Sequence, residues 1–206
     1  QPNGIRQQPG DAGFARAGVP LEHDRHDPDA IGKREHVEVE AERLRVGVGG
    51  VTGYTGVELM RRLARHPHVD VRLAMASAGS EAKRIPALAR IWDSAVEPLD
   101  VVRLAAETDA VFLALPDSVA ADVAPALALK GCRVFDLSGA FRLKDAALRS
   151  KWYPHSAAAE ARATYGLTER YRPELKDAGL VDCAGWYPTA EILALQPVVA
   201  VGLLQD

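Results

Sequence analysis

The chain has 206 residues, 48% of them hydrophobic, and a formal net charge of −3 from 25 basic and 28 acidic side chains. Those figures suit a soluble globular chain of one domain with extensions, and the near balance of charge argues against a nucleic-acid or membrane-surface partner. Two cysteines without a CxxC spacing make neither a disulfide framework nor a structural metal site. No run is apolar enough to span a membrane or to act as a secretory signal, which leaves the cytoplasm as the default.

Residues 1–43 are rich in Gln, Pro, Gly, Asp and His and poor in large apolar side chains. Such a segment buries too little surface to offset its chain entropy and reads as a disordered leader. His23, Asp24, His26 and Asp27 in it read as a solvated charged tail rather than a metal cluster. Order is expected from Leu44. "LRVGVGG" (44–50) is a short apolar strand, and "TGVELMRRLARH" (55–66) carries Val57, Leu59, Met60 and Leu63 at helical spacing. "VDVRLAMAS" (69–77) reads as a second strand. "DAVFLALP" (109–116) has the continuous apolar character of a strand buried on both faces.

"SVAADVAPALALKG" (118–131) predicts a helix stopped by Gly131, despite Pro125, and "CRVFDLS" (132–138) predicts another strand in which Cys132 is a buried, inert thiol. This rhythm of strand and helix means βαβ units: an α/β fold of Rossmann type, with a doubly wound, mainly parallel sheet. Between 139 and 180 the pattern loosens into irregular connections, with a short strand near "GLVDC". A last helix follows Pro188 and is expected to fade near Pro197.

Glycines recur at 47, 50, 53 and 56 where the first strand meets the first helix. A diphosphate docked on a helix N-terminus needs close backbone, which a Cβ would block. Gly50 and Gly53 would form the turn and Gly56 would let helix and strand pack closely, while Thr52 and Thr55 add hydroxyls for phosphate oxygens. The second strand ends at Ser77 with no acid at its tip, although Glu81 follows in the loop. That pattern favours NADP over NAD, with Ser80 near and Lys83 or Arg84 as partners of the 2′-phosphate. Both cations also suit plain surface charges.

Several stretches then resemble a family, the N-acetyl-γ-glutamyl-phosphate reductases of arginine biosynthesis, relatives of aspartate-semialdehyde dehydrogenase. They are "GVTGYTGVEL" (50–59), "VFLALPDSV" (111–119), "VFDLSGAFRLKD" (134–145), "KWYPHSA" (151–157), "YGLTERYR" (165–172) and "WYPTAEILALQP" (186–197). The resemblance implies a Rossmann domain over 44–180 that binds NADP(H). Residues 181–206 would be the truncated start of an α+β domain for substrate and dimer contacts. It implies reduction of a small-molecule acyl phosphate to a semialdehyde: a cysteine thiolate displaces phosphate to form a thioester, hydride attacks it, and a histidine of the second domain handles protons. Cofactor contacts would come from Gly50, Thr52, Gly53, Tyr54, Thr55, Gly56, Ser77, Leu115, Pro116, Ser138 and Gly139. Phe141 and Arg142 would face substrate, though Arg142 could equally pair with Asp145 or another acid.

The family motif Asn-Pro-Gly-Cys-Tyr-Pro-Thr stands here as Cys183-Ala184-Gly185-Trp186-Tyr187-Pro188-Thr189. Trp186 occupies the nucleophile position, and an indole has one N–H donor and no nucleophile. Cys183 is a poor substitute: three extended residues span up to roughly 10 Å, whereas attack needs atoms about 3–3.5 Å apart. His66, His68 and His155 do not stand at the proton-handling motif, and Asp117 replaces a histidine often found after the Ala-Leu-Pro run. The expectation is a family member inactive as a reductase, whose homo-oligomer is in doubt. A non-enzymatic NADP(H)-binding module or a gene remnant is the alternative.

Overall fold

Strands this apolar cannot leave a face in water, and they are assembled into one parallel sheet covered on both sides. The computed structural model describes residues 42–77, 83–156 and 162–203, all within one compact unit, Glu40–Asp206. Residues 1–41 of the leader, with the His23–Asp27 group, therefore lie outside the described residues, as do Ser80 and Glu81. Six strands, β1 (Leu44–Gly49), β2 (Val69–Met75), β3 (Ala110–Leu113), β4 (Arg133–Asp136), β5 (Thr164–Gly166) and β6 (Leu180–Cys183), stand in the order β2-β1-β3-β4-β6-β5. Every pairing is parallel, so the doubly wound sheet read from the sequence is present.

The helices are α1 (Tyr54–Leu63), α2 (Val101–Glu107), α3 (Asp117–Leu129), α4 (Ala146–Trp152), α5 (Thr168–Lys176) and α6 (Trp186–Ala200). On one face Val46, Val48 and Ala74 pack with Met60 and Leu63 of α1. On the other Val111, Leu113, Val134 and Leu180 pack with Leu104 of α2 and with Ala120, Val123, Ala124 and Leu127 of α3. Cys132 lies in that second cluster, 4% exposed, its thiol pushed up by burial, as a structural cysteine should be.

Three differences from the sequence pattern have local causes. The pattern gave no element between the second and third strands, yet α2 forms there, started by Asp100, whose carboxylate accepts from the amides of Val102 and Arg103 at 2.9 and 3.0 Å. The stretch 139–180 is more regular than expected, holding α4, β5 and α5; Asp145 caps α4 by accepting from the Leu148 amide, and α5 is kinked at Tyr171. The last helix does not fade at Pro197 but continues to Ala200. A proline removes one i→i−4 bond without forbidding helical dihedrals after it.

Gly56 sets how closely α1 approaches β1. A Cβ there would lie 2.2 Å from the carbonyl oxygen of Gly50 and 2.7 Å from Cα of Val51, both backbone atoms that no rotamer can move. Gly56→Ala is expected to lower stability by about 2 kcal/mol in urea denaturation, in the range of overpacked cores; an unchanged midpoint would show that the loop shifts freely.

Candidate functional site

In a doubly wound sheet, ligands sit beyond the carboxyl ends of the strands where the order reverses. The first reversal is between β1 and β3, and the glycine loop fills it. Gly50 has φ +86°, in the left-handed region. A Cβ on it would meet the Ala114 carbonyl oxygen at 2.2 Å, so the loop lies directly on the end of β3. Its amide donates to the Met75 carbonyl at 2.7 Å. Gly50 and Gly56 are buried, whereas Thr52, Gly53, Tyr54 and Thr55 are exposed. Gly53 is the N-cap of the ten-residue α1 and gives it no side-chain cap; the first turn holds no acidic residue.

The first amides of α1 have no intrahelical acceptors and present the positive end of the helix dipole. A Cβ on Gly53 would find nothing nearer than 3.7 Å, so the position that opens the helix is free of side-chain crowding. The exposed arc therefore fits a diphosphate, with donors where its oxygens would lie and no carboxylate to repel them.

The other sequence-predicted residues lie at the same edge of the sheet, where Gly49, Leu113 and Asp136 stand in register on neighbouring strands. Ser77 is exposed just beyond β2, and Arg84 is exposed as well. Lys83 is fixed by paired backbone bonds with Val96 at 3.0 and 2.8 Å. Leu115 is buried while Pro116, the N-cap of α3, is exposed. After β4, Asp136 accepts from the Ser138 amide at 3.0 Å and from its hydroxyl at 2.7 Å, and the same hydroxyl oxygen accepts from the Ala140 amide at 3.1 Å. Gly139 is buried against Tyr153, whose ring a Cβ would strike at 2.0 Å. Phe141 does not open toward a ligand; it is 6% exposed within the core cluster that includes Leu115 and Ala140.

A second reversal lies between β4 and β6, and here the structure holds acids that the motifs did not single out. Asp136 and Asp182 face each other in register, 0% and 1% exposed. Both Asp182 oxygens lack a hydrogen-bond partner, and so does Nε of Arg142, 4.0 Å from Oδ1. Arg142 thus stands beside a buried acid rather than Asp145, and one of its nitrogens donates to the Leu137 carbonyl at 3.3 Å. Burial pushes the Asp182 carboxyl up to about 8, with Arg142 opposing and Asp136 reinforcing the rise. Asp136 is raised too, by burial, against its bonds from Ser138. An acid closing each of two apolar strands, "VFD" and "LVD", was the available signal.

Cys183 ends β6 beside this cluster. Burial, then the charges of Asp182 and Asp136, push its thiol up to about 12, which disfavours the thiolate. Trp186 is the first residue of α6 and 81% exposed. The motif's asparagine position thus holds a thiol whose pKa is raised, and its cysteine position an exposed indole. Among the described residues no group of three or more His, Cys, Asp or Glu could hold a metal, and no helix is long and apolar enough to cross a membrane.

Comparison with known proteins follows this geometry. The family described as "Semialdehyde dehydrogenase, NAD binding domain" matches residues 45–178. The N-acetyl-gamma-glutamyl-phosphate reductase of Crocosphaera subtropica is 42% identical over 171 residues, covering 80% of this chain and 49% of the relative. That of Syntrophobacter fumaroxidans is 44% identical over 168 residues, with 79% and 48% covered. The chain spans about half the length of the curated relatives it matches. Among solved structures, aspartate semialdehyde dehydrogenase with NADP from Candida albicans superposes with a TM-score of 0.51 at 18% identity, covering 78% of this chain and 48% of that one; this likeness carries the fold.

The buried acids make stability depend on pH. Because the folded value of Asp182 is about 8, against an ordinary 3.8, the folded state holds a proton that the unfolded chain has released between those values. Stability from this group is therefore full below about 4 and lost as pH rises toward 8. Asp182→Asn removes that loss: thermal denaturation at pH 5 and pH 8 is expected to show a smaller drop for the variant than for the native chain.

Proposed function

The chain belongs to the family of semialdehyde dehydrogenase NAD-binding domains, and from that premise we propose that it holds NADP(H) as a module of N-acetyl-γ-glutamyl-phosphate reductase type. The observation that carries this reading is the open, uncapped start of α1 over Gly53. Gly50, Gly53 and Gly56 give the backbone its close approach, and the amides of Tyr54, Thr55 and Gly56, with the Thr52 and Thr55 hydroxyls, hold the diphosphate. Ser77 takes the adenosine ribose. The absence of an acid at the tip of β2 and the exposed cations Lys83 and Arg84 favour the 2′-phosphate form. Leu115, Pro116, Ser138 and Gly139 border the nicotinamide half, where the bonds from Ser138 to Asp136 keep the loop still.

When bound, NADPH supplies a hydride for an acyl carbon. In this reading Arg142 lies on the substrate side and attracts an acyl phosphate, while no group here makes the acyl-enzyme. Trp186 carries no nucleophile, and the protonated thiol of Cys183 does not replace it. The chain binds the dinucleotide without completing the reduction that its relatives are named for.

A titration following NADPH fluorescence tests the first part. Gly53→Glu brings a carboxylate to the start of α1 at a position where a Cβ has room, so NADPH affinity is expected to fall at least about tenfold with the melting temperature kept. Native-like binding by that variant, or no binding by the native chain at millimolar NADPH, would overturn the reading. In a parallel assay with N-acetyl-γ-glutamyl phosphate the native chain is expected to show no turnover. Turnover abolished by Cys183→Ala would sink the second part.

A further inference from the structure

Two large aromatic side chains stand at the openings of two helices on the ligand edge of the sheet. Tyr54, at the start of α1, is 82% exposed, and Trp186, at the start of α6, is 81% exposed. Isolated exposed aromatics are unremarked on most surfaces, but these two line the same cavity of about 300 Å³, together with Thr55, Glu58, Arg62 and Leu137. Thr55 belongs to the helix start that offers its amides, and Leu137 follows β4 just before the Ser138 loop. The cavity therefore bridges the phosphate-binding end of the edge and the far end, beyond β4. Its volume is at the small end of ligand pockets, which suits one ring system rather than a whole dinucleotide.

The lining also limits the chemistry of the occupant. Glu58 is already engaged by Arg61 and Arg62 at 3.6 and 3.0 Å, so the slot has little free charge of its own. What it offers is aromatic face. An indole is the strongest of the side-chain rings in attracting a cation over its face, and flat heteroaromatic rings stack on it.

We propose that Trp186 is a binding residue: its indole, in the cavity it shares with Tyr54, stacks on the nicotinamide ring of the bound dinucleotide and favours the oxidised, positively charged form. This rests on the dinucleotide reading of the glycine loop and adds a role for this chain's own tryptophan. The position that carries sulfur in the family motif here grips the ring.

Calorimetric titration of the native chain, Trp186→Ala and Trp186→Phe with NADP⁺, NADPH and 2′,5′-ADP tests this, the last ligand having no nicotinamide. Trp186→Ala is expected to weaken NADP⁺ about tenfold or more, in the range of one ring-on-ring stack. NADPH should weaken less and 2′,5′-ADP by under about twofold, while Trp186→Phe recovers most NADPH affinity and part of that for NADP⁺. Unchanged NADP⁺ affinity in Trp186→Ala overturns the stacking proposal and leaves the loop reading standing. An equal loss for all three ligands overturns it as well, because the effect is then not on the ring. If the native chain binds neither NADP⁺ nor 2′,5′-ADP, both readings fall together.

Discussion

The backbone contact between Gly50 and the end of β3 governs the rest of the site. With the Ala114 carbonyl 2.2 Å from where a Cβ would be, and a positive φ at the same residue, the chain can turn there in one way. That turn brings Val51 into the core at 0% exposure and swings Thr52–Thr55 outward. Gly56 then closes the turn from the other side, its own missing Cβ facing the Gly50 carbonyl. The position of α1 relative to the sheet, and so of its unpaired amides, follows from two absent methyl groups rather than from any side chain reaching for a ligand.

The other half of the edge is built on opposite terms. Where the glycine loop is open and made of backbone, the β4–β6 junction is closed and made of side chains in tension. Asp136 is satisfied by Ser138, Asp182 is satisfied by nothing among the described residues, and Arg142 stands a bond length too far away to pair well. An uncompensated buried carboxyl stays protonated, and the low polarity that keeps it so also keeps Cys183 as a thiol. The sulfur at this junction is thus disfavoured as a thiolate, and the residue at the helix start carries an indole with one N–H donor.

Most of the fold was legible because long apolar runs and helical spacing report burial directly. β1, α1, β2, β3, α3 and β4 all fall where the pattern put them, within a few residues. α2 was not read, since seven residues carry too few turns for a period and its start depends on one carboxylate, Asp100. β5 was invisible for a similar reason: three half-buried residues at the sheet edge need little apolar character. In the site, the glycines were legible because backbone demands leave few substitutes. Phe141, read toward the substrate, lies instead in the core beside Ala140, itself buried, a burial that spacing alone does not reveal. Asp182 was missed because its meaning comes from Asp136 across the sheet and Arg142 from a distant loop, neighbours in space but not in sequence.

The helix that carries Trp186 has a property of its own. None of the fifteen residues of α6 is buried, and Leu193, Leu195 and Val199 are exposed along with the aromatic pair at its start. Helices in water owe most of their persistence to the packing of one face, and this one, largely apolar and carrying Pro197, packs little against the described residues. Its amide hydrogens should trade with solvent deuterium far sooner than those of the buried strands β4 and β6 on the other side of Gly185.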